Sequence, residues 1–223
     1  MPNWVFNIVR IHGDKDTLAR IKKDLHTCDK SYIDHVRAKL EGKKRRKPYD
    51  TDASLKQELD SLLAQPESNF ENEFDFNSII PMPEDSDTFC RFDGVGPDEE
   101  QKFGRNTWYE WCCDNWGTKW NANDAELEDE DDDFLRYVFN TAWAAPEPVI
   151  RELSAKYRVK VVDEFYDEDF GNNCGKLTAC DGDIEFENHE HGWQWLADTF
   201  GEDTMDAFGF VQDEDGNWKR EES

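Results

Sequence analysis

Cys174, Cys180, His189 and His191 form the one Cys/His grouping in the sequence, and thiolate with neutral imidazole is the ligand chemistry of zinc. Their spacing is that of no zinc finger, so packing is the expected role. Asp213, Asp215 and Asn217 follow the first three ligand positions of a calcium loop. Trp218 stands where the sharp turn needs Gly, however, and the sequence stops short of the twelfth-position Glu. Asp181 and Asp183 fail in the same way, because Phe186 takes the Gly position. Adjacent Cys112 and Cys113 on a helix would diverge by about 100°, which argues against a shared metal. No Gly-x-Ser-x-Gly elbow, phosphate-binding Gly-rich loop with Lys, or His-Glu-x-x-His occurs, and no carboxylates form a recognisable acid/base pair. The expectation is a protein without catalytic, metal or cofactor sites; the competing enzyme reading would use Trp108, Trp116, Lys119 and Trp120 as a ligand pocket.

Two charge clusters suggest binding instead. Asp124, Glu126, Glu128, Asp129, Glu130, Asp131, Asp132 and Asp133 place eight carboxylates in ten residues, either a partner-binding acidic patch or a solvated turn. Lys43, Lys44, Arg45, Arg46 and Lys47 form a basic run, a possible contact for phosphate or an acidic surface, or a solvated loop. With 26 Lys and Arg against 52 Asp and Glu, the net charge is -26, and free nucleic acid or an anionic membrane would be repelled by most of this surface. Residues 1–47 are nevertheless basic, so direct contact with nucleic acid is expected only through residues 37–47. A basic protein is the expected partner.

At 223 residues the chain allows one elaborate domain or two small ones, and nine Trp with fifteen Phe supply the apolar surface to build a core. Six scattered cysteines read as thiols in a reducing compartment. Without a signal peptide or an apolar run of about eighteen residues, neither export nor membrane insertion is expected.

Trp4–Ile11 alternates as a strand, and Leu18, Ile21 and Leu25 give the following helix its apolar face. Residues 27–71 read as an insertion with helices near Tyr32–Leu40 and Ser54–Ala64, mobile between them over 41–53. Phe74–Ile80 is predicted to be a buried strand stopped by Pro81, with loop to about Gly104. Asn106–Trp116 is a core-facing helix closed by Gly117, with Trp116 and Trp120 buried. Two strands follow, Trp120–Glu126 and Leu135–Trp143, joined by an acidic connection over Glu128–Asp133. A helix through Val149–Tyr157, a strand at Val159–Phe165, a hairpin around Asp181-Gly182-Asp183 and short helices after Trp193 complete the series, with Asn217–Ser223 frayed. The order suggests an α+β fold, an antiparallel or mixed sheet with helices packed on one face.

The pieces Met1-Pro-Asn-Trp4, Ile79-Ile-Pro-Met-Pro83, Asn115-Trp-Gly-Thr-Lys-Trp-Asn-Ala122, Phe139-Asn-Thr-Ala-Trp143 with Pro146, and Leu153-Ser154 together resemble the YubB/Api-like proteins of plasmids, phages and pathogenicity islands. The resemblance implies a ferredoxin-like α+β domain over residues 1–168, carrying the helical insertion near 27–71. Residues 169–223 would add a C-terminal hairpin and short helices packed on the same domain. It supplies no catalytic residues. The mobile-element context it implies, joined to the acidic charge, gives the expected function: an antidefence inhibitor of anti-CRISPR or anti-restriction type in the cytoplasm of a bacterial host. Such a protein would block a host protein with a basic nucleic-acid-binding surface. A DNA- or RNA-associated accessory protein using residues 37–47 is the alternative.

Overall fold

Alternation along β1 (Trp4–His12) sets the architecture, because Val5, Asn7, Val9 and Ile11 all point to one face and are fully buried there. That face is covered by α1 (Lys15–Leu25), whose Leu18, Ile21 and Leu25 are buried. The Asp14 carboxylate starts this helix by accepting from the Thr17 amide at 3.0 Å and the Thr17 hydroxyl at 2.7 Å. The structure, a computed structural model, describes residues 3–44, 46–83 and 108–221.

After the insertion come α4 (Trp108–Asn115), β4 (Asn123–Glu130), β5 (Phe134–Ala142), α5 (Glu147–Tyr157) and β6 (Lys160–Asp167). The hairpin β7 (Cys174–Cys180) and β8 (Asp183–Asn188) extends the sheet. Strand order is β4-β5-β1-β6-β7-β8, with every neighbouring pair antiparallel. The series β1-α1-β4-β5-α5-β6 is therefore a βαββαβ unit with β1 at its centre. Val149, Ile150, Leu153 and Tyr157 of α5 join the α1 side chains and the inner face of the sheet in one main core. At the far end of the outer face, α6 (Trp193–Phe200) and α7 (Glu202–Ala207) build a second apolar cluster around Phe170, Cys174, Leu196 and Met205.

The insertion leaves and returns through one neck, where β2 (Thr27–Cys28) pairs with β3 (Glu71–Asn72) and the Asp29 amide donates to the Phe70 carbonyl at 2.8 Å. Between them α2 (Ser31–Leu40) and α3 (Asp52–Leu63) pack on each other. Their connection is not the free excursion expected of residues 41–53. Arg46 donates to the carbonyls of Lys39 at 2.8 Å and Leu40 at 3.0 Å, closing the end of α2, while Lys39 pairs with Asp50 at 3.1 Å with both side chains nearly buried.

Three further expectations are corrected. Phe74–Ile80 is not a strand: Phe76–Ser78 is a 3-10 turn, and Phe74 and Phe76 insert into the core, Phe74 with its ring 4.8 Å from that of Phe139. An apolar run reads alike whether it pairs in a sheet or tucks beneath one. Here Asp75 fixes the turn by accepting from Asn77 and Asn121. The acidic stretch is largely strand, since β4 runs to Glu130 with Ala125 and Leu127 packed on the core, leaving only Asp131–Asp133 to the turn. The tail is paired over Trp218–Arg220, where β10 (Trp218–Arg220) lies against β9 (Phe210–Gln212). The expected loop to Gly104, the start of the Asn106 helix, Arg45 and Met1-Pro2 lie outside the described residues.

Candidate partner-binding face

The outer face of the sheet is built from the residues that alternate with the core. In register across β4, β5, β1, β6, β7 and β8, one row reads Glu126, Val138, Ile8, Glu164, Lys176 and Glu187. The next contains Asp129, Arg136, Arg10, Val162, Thr178 and Glu185. Two arginines thus lie opposite one another at the centre, each with its own carboxylate: Arg10 pairs with Glu164, and Arg136 with Glu128. Burial and the facing Arg10 hold Arg136 below the usual guanidinium range. Both sheet edges are exposed and acidic, with Asp124, Glu126, Glu128 and Asp129 on β4 and Asp183, Glu185 and Glu187 on β8. Charged edge strands resist pairing with another strand, so these carboxylates also guard the sheet against edge-to-edge association.

The structure divides the sequence-contiguous acidic patch. Register bulges in β4 turn Glu126, Glu128 and Asp129 to the outer face, whereas Glu130 and Asp132 meet the lysines of α1, Lys22–Glu130 at 2.7 Å and Lys15–Asp132 at 2.8 Å. The Asp132 ion pair is the largest influence raising the Lys15 ammonium above its usual range. Asp131 accepts from the Asp132 amide, and the Asp133 carbonyl accepts from the Gly13 amide at 3.1 Å, fastening the β4–β5 turn to the start of α1. Of the basic run, Lys43 pairs with Glu41 at 2.7 Å, Arg46 caps α2 and pairs with Asp52, and the Lys47 ammonium lies 5.9 Å from the Tyr49 ring. Lys44 too has an interaction, and Arg45 is outside the described residues.

Of the zinc candidates the structure sets Cys174 beside His189, where the thiol donates to the His189 carbonyl at 3.2 Å, but it does not bring the four together. Cys174 and Cys180 occupy opposite ends of β7, burial pushes the Cys174 thiol up to about 11, and the His189 ring stacks on Trp195 at 4.1 Å. Among the described residues no group of three or more His, Cys, Asp or Glu is placed to hold a metal ion. The calcium-like run is a hairpin turn between β9 and β10, in which the Asp213 carboxylate accepts from the amides of Asp215 at 3.0 Å and Asn217 at 2.9 Å. Those hydrogen bonds, chiefly that from Asn217, hold the carboxyl below its ordinary value.

The Trp-Gly-Thr-Lys-Trp segment splits between core and surface. Trp116 is 2% exposed and donates its indole N–H to the Ile80 carbonyl at 2.9 Å. Burying an indole of this size is worth roughly 4 to 6 kcal/mol before ordering costs. Gly117 takes φ +78°, and a Cβ there would lie 2.8 Å from Pro148 Cδ. Thr118 accepts from the Ala142 amide and donates to its carbonyl, joining the segment to the end of β5. Asn121 accepts from the Phe76 amide at 2.8 Å. Trp120, expected to be buried, is only partly so: its ring is covered by Trp4 at 5.7 Å and by the Lys119 ammonium at 4.3 Å and does not enter the core.

One further surface feature is formed by residues distant in sequence. At the end of the outer face, a cleft of about 490 Å³ is lined by Trp4, Phe6, Tyr166 and Phe208, with Asp124 and Glu168 among the polar residues around it. Its signal was present in β1, where Trp4 and Phe6 alternate with Val5 and Asn7, so that bulky aromatics occupy the face away from the main core.

The sheet order and the βαββαβ series define a ferredoxin-like α+β protein. Residues 115–204 match the family model described as the ferredoxin-like domain in Api92-like protein. The crystal structure of a protein Api92 from Yersinia pseudotuberculosis aligns with a TM-score of 0.53 at 10% identity, over 84% of this chain and 99% of that one. No curated protein matches. Over residues 115–204 the chain is thus similar to the ferredoxin-like domain in Api92-like protein, and it shares the fold of that crystal structure. The matched segment contains β4 to β8 but not β1, which fills the gap between β5 and β6. The motif at 115–122 is a structural clamp joining α4, the Phe76 turn and β5. Among the described residues no helix is long and apolar enough to cross a membrane.

Proposed function

We propose that this chain acts by binding, as an antidefence inhibitor that covers the basic nucleic-acid-binding surface of a host defence protein. The observation that carries the reading is the outer sheet face, rimmed on both edges by exposed carboxylates, in a chain of net charge -26. Such a surface attracts a Lys/Arg-lined groove over long range, raises the association rate and competes with the phosphates that the groove normally takes. The working patch is Asp124, Glu126, Glu128 and Asp129 on the outer face, while Glu130 and Asp132 serve the fold. The test is purification of the tagged full chain from a bacterial host, followed by identification of co-eluting proteins. A basic nucleic-acid-binding protein released by duplex DNA and by salt supports the reading. Recovery of the chain with bound nucleic acid instead favours the accessory role through residues 37–47.

A further inference from the structure

We propose that the cleft lined by Trp4, Phe6, Tyr166 and Phe208 is a recognition site for an arginine side chain on an extended basic segment of a partner protein. The inference rests on the reading that the chain acts by binding a basic partner, and it names the contact at which that partner is held. Four aromatic rings form one continuous wall of the cleft, against which a flat cation can lie: Phe6 packs on Tyr166 at 5.4 Å, Tyr166 meets Phe208 edge-on at 5.7 Å, and Trp4 continues into Trp120 at 5.7 Å. The volume of about 490 Å³ has room for a long side chain and part of its backbone. Asp124 and Glu168, both exposed, supply negative charge beside the rings, and the amides of Asn123 and Asn140 supply neutral acceptors. A guanidinium stacks on aromatic faces and pairs with carboxylates at its edge, which an ammonium cannot do as well.

The chain contains an example of this chemistry next to the cleft. The Lys119 ammonium lies 4.3 Å from the Trp120 ring centroid, 5.4 Å from that of Trp143 and 5.8 Å from that of Tyr109. That cation is the chain's own, and the Trp4 ring, in contact with Trp120, carries the same aromatic surface into the cleft. Asp124 stands where the β4 register shifts and takes φ +52°, a left-handed conformation. Bulges of this kind re-aim side chains next to binding sites.

The test uses the full chain and a labelled, acetylated arginine-rich peptide, with a lysine-rich peptide of the same length and a neutral oligosaccharide as comparisons, all at moderate salt. Binding is expected to be several-fold tighter for the arginine peptide than for the lysine peptide. It should weaken about tenfold in Trp4→Ala, and severalfold in Glu168→Gln and Asp124→Asn. The two carboxyl variants keep the result decisive should the Trp4 change disturb folding. Joint replacement of Asp131 and Asp133, in the β4–β5 turn outside the working patch, by Asn should alter peptide affinity less than twofold. If every charge-neutralising variant weakens the peptide equally, the cleft is not the site, although a basic partner remains. The same holds if a basic protein binds the chain while the arginine peptide does not. Preferential binding of the oligosaccharide would replace arginine with a sugar, and failure of every basic peptide and protein would remove both readings.

Discussion

Lys22 on α1 and Glu130 at the end of β4 meet at 2.7 Å, so the basic N-terminal helix and the acidic strand compensate one another. Both side chains are about half exposed, and the coupling in a double-mutant cycle of Lys22→Met with Glu130→Gln should be less than about 1 kcal/mol and fall with salt. A coupling well above that would mean that the pair is an anchor of the fold rather than a local neutralisation.

Replacing Asp129, Asp131, Asp132 and Asp133 by Asn removes like-charge repulsion but also the Lys15–Asp132 pair. The thermal midpoint should therefore move by no more than a few degrees. Binding to the co-purified basic partner should weaken mainly through the loss of Asp129, so Asp129→Asn alone should reproduce most of the effect. An equal share from Asp131 or Asp132 would place the contact at the turn instead of the outer face.

Asp163 is fully buried on the inner face of β6, and neither carboxyl oxygen has a hydrogen-bond partner among the described residues. Burial raises its pKa well above the ordinary value, with Glu164 adding to the shift. A folded-state pKa above the unfolded value of about 3.9 means that the contribution to stability is intact below that pH and is lost as pH rises toward the folded pKa. Asp163→Asn should therefore gain about 1 to 3 kcal/mol over the parent at pH 8, and the gain should vanish near pH 4. Chemical denaturation of both proteins at the two pH values checks this; a variant less stable at pH 8 would show that the carboxylate is compensated.

Gly117→Ala combines a left-handed φ of +78° with a Cβ placed 2.8 Å from Pro148. A loss of at least about 1 kcal/mol is expected in thermal unfolding. An unchanged midpoint would mean that the Pro148 ring moves aside at no cost.

Arg46→Ala should free the last carbonyls of α2 and accelerate amide exchange across residues 31–63 while leaving β1 and β6 unaffected, an effect of roughly 1 kcal/mol within the insertion. Unchanged exchange would return residues 41–53 to the role of a mobile excursion. Acceleration in the sheet would show that the insertion and the body unfold together.

Local signals carried much of the fold. The alternation of β1, the Leu18-Ile21-Leu25 stripe and the turn at Asp181-Gly182, with φ values of +50° and +90°, each act within a few residues of sequence. Phe74–Ile80 was misread because a short apolar run carries no period, and only the tertiary partners of Asp75 and Asn121 decide its shape. The acidic residues were visible, but their division between the outer face and α1 depends on the β4 bulges and on lysines more than a hundred residues away. The aromatic cleft was the least legible feature, since Trp4, Tyr166 and Phe208 belong to separate elements that the fold alone brings together.

Whether the acidic outer face occupies a basic nucleic-acid-binding surface is decided by competition. The co-purified partner is loaded with labelled duplex DNA, and the full chain is titrated in at low and moderate salt. The parent chain should displace the DNA stoichiometrically, less well at higher salt, and a Glu126→Gln, Asp129→Asn double variant should displace it at least tenfold more weakly. Binding of the chain to the partner–DNA complex without release of the DNA would contradict such occupation.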